Sequence, residues 1–360
     1  MNALITLDLA AVRHNLNLVR AKVPGTQVLA VIKADAYGHG LIRMARAMDS
    51  AEGFAVARLD EALSLRHSGI EQRIVVLQGF VEPCELELMN LYGLEPVVHS
   101  DFQVDILEQS GHLDPLQVWM KLDTGMHRLG FLPEEYAEYH HRLGLCSAVR
   151  QPVHLMTHLA SADERDHPAT TQQLNSFAAQ LDGYSGERCI ANSAGIMAWT
   201  AAHTRWIRPG IMLYGVSPFP GRTGDEEGLH AVMSFRTRLI AIKSLKPGAR
   251  VGYGGEWVST RWTRMGIAAV GYGDGYPRHA QSGTPVLVGG YRAPLIGRVS
   301  MDMINLDLTD TPEVKVGDEV TLWGAGLPVE EVARYSGTIP YALLCGITQR
   351  VKRVEIGASL

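Results

Sequence analysis

The sequence predicts an α/β chain: an N-terminal (β/α)8 TIM-type barrel followed by a smaller, mostly β C-terminal domain. Three observations carry this. Short runs rich in β-branched residues recur eight times in the first ~230 residues, most of them are followed by a helical pattern, and beyond that point the helical period fades. Strands interleaved with helices argue for parallel βαβ units, and eight such units fit a closed barrel. A doubly wound open sheet is the alternative that the same pattern allows.

Before the first run, Leu9, Val12, Leu16 and Val19 fall on one helical face, with Asp8 placed to cap its N-terminus. The runs are VLAVIK (Val28–Lys33), GFAVA (Gly53–Ala57), RIVVLQG (Arg73–Gly79) and EPVVHS (Glu95–Ser100), then LQVWMKLD (Leu116–Asp123), PVHLMTH (Pro152–His158), RCIANS (Arg188–Ser193) and RWIRPG (Arg205–Gly210). Between the first two, Leu41, Met44, Ala45 and Met48 repeat the amphipathic spacing. Barrel enzymes keep reactive groups at the C-terminal ends of their strands. A barrel here gathers Lys33, Lys121, His158, Ser193 and Arg208 around one mouth. After residue ~230, SFRTRLIAIKSL, RMGIAAVGYG, TPVLVGGYRAPLI and EVTLWG read as strands punctuated by Gly and Pro. The stretch Pro218–Gly228 is the expected boundary, dividing the chain into residues 1–228 and 229–360. No internal repeat is visible.

At 360 residues, with 20% charged and 46% hydrophobic residues, the chain has an ordinary globular composition and can bury a large core. Acidic residues exceed basic ones by five, which gives no electrostatic reason to expect nucleic acid or an anionic membrane as partner. Cys84, Cys146, Cys189 and Cys345 are scattered, without CxxC or metal-finger spacing, and read as free, mostly buried thiols. Asp8, Arg13 and His14 interrupt the N-terminal stretch before a signal-like apolar run develops, and no 18-residue apolar stretch occurs. A cytoplasmic protein is expected.

Five segments of the barrel half can carry chemistry. In AVIKADAYGHG (Ala30–Gly40), a lysine closes a hydrophobic strand, where partial desolvation lowers an ammonium pKa and frees the amine for Schiff-base chemistry. Tyr37, four residues on, can offer a hydroxyl to a phosphate. Taken alone, such a lysine is more often a snorkelling surface residue. VWMKLDTGMHRLGF (Val118–Phe131) puts Lys121, Asp123, His127 and Arg128 in one strand and its loop. Its Asp-Thr-Gly invites comparison with aspartic proteases, but no second copy exists, and a strand-end arginine suits bidentate grip of a carboxylate better. MTHLASAD (Met156–Asp163) offers His158; His154 lies four residues earlier on a strand, a spacing that does not make a metal site. No metal is expected. ANSAG (Ala191–Gly195) and IRPGIMLYG (Ile207–Gly215) supply a serine and small residues able to cradle a phosphate, and neither is a nucleotide-binding P-loop. In the second domain, RVGYGGEW, GYGDGYPR, GRVSMDM and IPYALLCGITQR repeatedly place Tyr beside Gly; singly, these read as hairpin glycines with packed tyrosines.

Together, and in this order from Val28 to about Arg353, the motifs resemble those of the bacterial alanine racemase family. That resemblance implies a barrel that binds pyridoxal 5′-phosphate (PLP), a β domain, and a homodimer with composite active sites acting on L- and D-alanine. Lys33 would hold PLP covalently and serve as one base. Tyr37, Ser193, the amides of Gly210 and Ile211, and Tyr341 would hold its phosphate, and Arg208 would sit against the pyridine nitrogen. Tyr253 would reach in from the partner subunit as the second base, with His158 hydrogen-bonded behind it and in contact with Arg208. Arg128 and the backbone of Met301 would take the substrate carboxylate. Lys121 matches a position often carboxylated to a carbamate that orients Arg128, and Tyr272 and Asp302 would line the active-site entrance. The chain has Ser300 where family members often have Cys. The implied reaction supplies D-alanine for peptidoglycan. The rival readings are a broad-specificity PLP racemase and a PLP barrel decarboxylase; the second would be expected to place an acid, not Arg208, at the pyridine nitrogen.

Overall fold

A computed structural model describes residues 3–357. The chain opens with β1 (Leu4–Asp8) and α1 (Leu9–Lys22). Asp8 ends the strand and caps the helix, its carboxylate accepting from the amides of Ala10 and Ala11, while Val12, Leu16 and Val19 are buried.

Eight parallel strands then close a barrel: β2 (Gln27–Val31), β3 (Gly53–Val56), β4 (Arg73–Val76), β5 (Glu95–Val98), β6 (Trp119–Lys121), β7 (His154–Met156), β8 (Arg188–Cys189) and β9 (Trp206–Ile207). β9 returns to β2 through Gln27–Trp206 and Val28–Ile207. These are the eight runs read from the sequence. Each is shorter than its run because the last residues leave the ladder to form the mouth. Strands such as Gly53–Val56 and His154–Met156 are buried along their whole length, as expected when a parallel sheet is covered on both faces.

Six segments between or after these strands follow the βα pattern: α2 (Lys33–Gly38), α3 (Leu41–Ala47), α4 (Leu59–His67), α5 (Pro83–Leu91), α6 (Asp101–Gln109) and α7 (Tyr136–Leu145). α8 (Ala169–Ala178) and α9 (Ser193–Ala198) complete the outer layer. The N-terminal end of the barrel is tied by ions. Arg73 bridges Glu95 at 2.8 Å and Glu187 at 3.0 Å, and His154 lies 3.3 Å from Glu187.

The β domain comprises β10 (Met233–Leu245), the small hairpin β11 (Arg250–Val251) and β12 (Trp257–Val258), and then β13 (Thr263–Ala268), β14 (Pro285–Val288), β15 (Tyr291–Ile296), β16 (Ile304–Asp307), β17 (Glu319–Trp323) and β18 (Lys352–Ile356). Two short helices, α10 (Val329–Tyr335) and α11 (Pro340–Cys345), lie between the last two strands. β10 is long enough for three partners: its first part pairs with β1 and β17, and Leu239–Leu245 pairs with β13. β1 was not anticipated from the sequence. It joins this sheet rather than the barrel, between β10 and the parallel β18. One continuous apolar cluster runs from Ile5 and Leu7 through the barrel to Leu322 and Trp323, so the two sheets share a core.

All four cysteines are free, but the expectation of mostly buried thiols is only half met. Cys146 and Cys189 are buried; Cys84 and Cys345 are exposed, each on a short helix beside a surface turn. No helix among the described residues is long and apolar enough to cross a membrane.

Candidate active site

Lys33 stands two residues beyond β2, at the start of a turn with unusual backbone. Ala34, Asp35, Ala36 and Tyr37 all have positive φ, from 53° to 55°, which makes α2 a left-handed turn. A side chain with a Cβ disfavours that region by roughly 1–2 kcal/mol per residue, so the turn needs external support. Glu61 of α4 accepts from the Ala34 amide at 2.7 Å, and Asp35 accepts from the Leu41 amide at 2.7 Å. The Nδ1 of His39 bridges the carbonyls of Ala36 and Tyr37. The result points Lys33 and Tyr37 toward one cavity.

That cavity, about 890 Å³, opens at the C-terminal ends of the barrel strands. Lys33, Tyr37, Lys121, Arg128, His158, Ser193, Arg208, Gly210, Ile211 and Tyr341 all line it. Arg208 is its electrostatic centre. It is 5% exposed, and its guanidinium donates to the carbonyls of Cys189 (2.7 Å), Ile190 (3.1 Å) and Thr157, which keeps the buried charge solvated by strand-end dipoles. Its Nη2 also lies 3.4 Å from Nδ1 of His158. Burial, followed by Arg208 and Lys121, drives the His158 pKa well below its ordinary value. His158 is therefore neutral. The positive charge of the Arg208–His158 pair rests on the guanidinium. His154, at the opposite end of the barrel, faces Glu187 and not His158.

The same physics acts on both lysines. Burial lowers the Lys33 ammonium pKa, aided by Arg128 and Arg208. It brings Lys121, at the end of β6, down to about 8, again with Arg208 and Arg128 as the repelling charges. Asp123 plays no catalytic-dyad part. Its carboxylate accepts from the amides of Gly125, Met126 and His127 and so folds the loop that presents Arg128. Burial alone would raise its pKa, but these bonds, the His127 amide first among them, lower it.

The residues fit a phosphate. The Ser193 hydroxyl accepts from the Gly210 amide at 2.9 Å, Tyr37 packs against Tyr214 and Tyr341 with its hydroxyl beside Gly210, and Ile211 begins a tight turn there. A Cβ at position 210 would come within 2.7 Å of the Tyr37 oxygen, so the space between hydroxyl and backbone exists because the residue is glycine. Hydroxyl and amide donors of this kind suit a phosphate ester.

Tyr253, Tyr272, Met301 and Asp302 do not reach this cavity. Tyr253 is 69% exposed, on a turn where Gly252 and Gly254 have positive φ. Tyr272 and Met301 are also exposed and share a loop cluster: the Gly273 amide donates to the Met301 carbonyl at 2.9 Å, and Arg350 bridges Asp274 and Asp302. Glu61 and Asp163, which sequence reasoning did not assign, belong to the site, the first through the Ala34 amide and the second on the cavity wall. Glu61 opens no motif. Its only signal is a position three residues into a helix, where a carboxylate accepts backbone amides.

Comparison with known proteins follows the same lines. A family model described as "Alanine racemase, N-terminal domain" matches residues 7–218, and "Alanine racemase, C-terminal domain" matches residues 232–355. The chain is 52% identical to an alanine racemase of Nitrosococcus oceani, covering 96% of this chain and 97% of that one. It is 49% identical to a biosynthetic alanine racemase of Escherichia coli, over 97% and 98% of the two chains. Among solved structures, biosynthetic alanine racemase from Pseudomonas aeruginosa superposes with a TM-score of 0.96 at 47% identity, covering 99% of each chain. An alanine racemase from Bartonella henselae with covalently bound pyridoxal phosphate superposes with a TM-score of 0.90 at 30% identity, over 99% and 100%.

Proposed function

The chain belongs to the alanine racemase family and interconverts L- and D-alanine; we propose that it does so on PLP, with Lys33 and a partner subunit's tyrosine, Tyr253, as bases on opposite faces of the substrate. The observation that carries the residue assignment is convergence. One cavity joins a lysine whose ammonium form is disfavoured by burial, a cradle of hydroxyl and amide groups and a buried cation. PLP supplies an imine and an electron-accepting ring that make the Cα proton of a bound amino acid removable.

The chain's own residues do the rest. Tyr37, Ser193, Gly210, Ile211 and Tyr341 hold the phosphate. Arg208 would face the pyridine nitrogen as a donor, since a guanidinium carries N–H donors and no acceptor. An acid in that place would instead favour the decarboxylase reading. Arg128 grips the substrate carboxylate, together with the backbone of Met301. Lys33 takes or returns a proton on one face and Tyr253 on the other, each contributing roughly 10²–10⁴-fold as a positioned acid–base group. Lys121, as a carbamate, turns from a charge that repels Arg128 into one that orients it. His158 stands behind Tyr253, and Tyr272 and Asp302 flank the entrance. Tyr253, Tyr341 and Met301 leave room for a small side chain.

This reading requires a homodimer, because Tyr253 and the Met301 loop are outside the cavity of their own chain. The biosynthetic relatives support a cytoplasmic supply of D-alanine for peptidoglycan. The direct test is Lys33→Ala. The purified variant is expected to lack the visible band of covalently bound PLP that the wild type shows; a variant that keeps it removes Lys33 from its role.

A further inference from the structure

His39 is fully buried, yet it touches neither the cavity nor the reacting groups assigned above. Its Nδ1 lies 3.0 Å from the Ala36 carbonyl and 2.9 Å from the Tyr37 carbonyl. Two carbonyl partners require Nδ1 to carry the proton. Nε2 is then a lone pair, and it is buried without a hydrogen-bond partner among the described residues. The ring rests against Tyr214, centroids 4.6 Å apart, and the Tyr214 hydroxyl donates to the Val31 carbonyl at the end of β2. Burial holds the imidazole pKa down to about 4, in keeping with a neutral ring.

What the Nδ1–H holds is the end of four consecutive residues with positive φ, none of them glycine. Relaxing that turn toward ordinary backbone would move Tyr37 relative to Lys33. We propose that His39 is a positioning residue: its Nδ1–H, shared between the carbonyls of Ala36 and Tyr37, locks the left-handed turn and so fixes the distance between the Lys33 amine and the Tyr37 hydroxyl. The proposal rests on the reading that these two groups grip the two ends of PLP. Nε2 serves no such purpose, and this asymmetry makes the idea testable. An asparagine amide can stand where Nδ1 stands, whereas a glutamine amide reaches toward Nε2.

The experiment compares apoproteins of the wild type, His39→Asn and His39→Gln by PLP titration, followed through tyrosine and tryptophan fluorescence, and by thermal melting without PLP. His39→Asn is expected to bind PLP within about threefold of the wild type and His39→Gln about tenfold or more weakly, as misplacement of a gripping group by a fraction of an ångström would give. The two apoproteins should melt alike, which a merely structural role would not combine with a difference in affinity. His39→Gln binding as the wild type does, or His39→Asn failing as badly as His39→Gln, overturns the proposal. Should His39→Gln not fold, His39→Asn decides against the wild type alone: retained affinity supports the lock, and a tenfold loss in the folded variant refutes it. Lys33→Ala keeps the two ideas apart, because a retained covalent band there refutes the cofactor assignment while the His39 comparison is still read from affinity.

Discussion

A lysine ammonium buried beside two guanidinium groups is destabilised in its charged form, and Lys121 shows the consequence most clearly. With its pKa brought from 10.5 to about 8, a substantial neutral fraction exists near neutral pH, and only the neutral amine adds carbon dioxide. Bicarbonate is therefore expected to add one carboxyl to Lys121, seen as a mass gain on its peptide, and to lower the KM for alanine. Lys121→Met should abolish both effects; a bicarbonate-insensitive wild type would reject the carbamate. The sign of the pH effect on the unmodified apoprotein follows from the same shift. The unfolded chain binds the extra proton between about 8 and 10.5, so the Lys121 contribution to stability rises with pH across that window. The difference in melting temperature between the wild type and Lys121→Met should grow in favour of the wild type as pH is raised there. For Tyr253→Phe, PLP should remain bound while deuterium exchange in single turnover fails mainly from one alanine enantiomer. Equal loss from both would contradict the division of faces. Lys33, Arg208 and Ser193 were legible because they end strand-like runs. His39 and Glu61 were not, since their work is done by hydrogen bonds to a left-handed turn that Ala34 and Ala36, ordinary alanines, do not advertise.

At the scale of elements, that turn and the Gly210 cradle are where backbone shape bears on the proposed site. Ala34 is exposed at positive φ, so Ala34→Gly should stabilise the protein by about 1 kcal/mol, read as a higher melting temperature, because glycine enters this region without the Cβ penalty. Unchanged or lower stability would mean that the turn is not strained at this position. Gly210→Ala should weaken PLP binding by roughly tenfold, since its Cβ meets a Tyr37 ring wedged between two other tyrosines. The barrel strands were legible for the opposite reason. Parallel strands covered on both faces read as apolar runs, whatever surrounds them. Their ends were not, because mouth residues such as Thr157 and Ile190 are as apolar or β-branched as those in the ladder. The cap at Asp8 was legible, but the strand it closes was not: Leu4–Asp8 is five residues long, and its partners lie more than 200 residues away.

On the proposed assignment, the whole molecule divides its chemistry between two surfaces. One is the cavity holding Lys33; the other is the exposed loop cluster of the β domain with Tyr253, Tyr272 and Met301. Such a split within one chain is unproductive, and the proposed twofold dimer would resolve it by placing each loop cluster over the other subunit's cavity. The order of motifs made both halves visible in the sequence, but which chain completes which site is a property of assembly that residue spacing does not encode. Mixing Lys33→Ala with Tyr253→Phe tests this directly. Subunits of the two inactive variants, exchanged to equilibrium, form hybrids in which one of the two sites has both bases intact, so the mixture should recover about a quarter of wild-type racemase activity. A mixture of exchanged subunits that stays inactive would contradict a site built from Lys33 of one subunit and Tyr253 of the other.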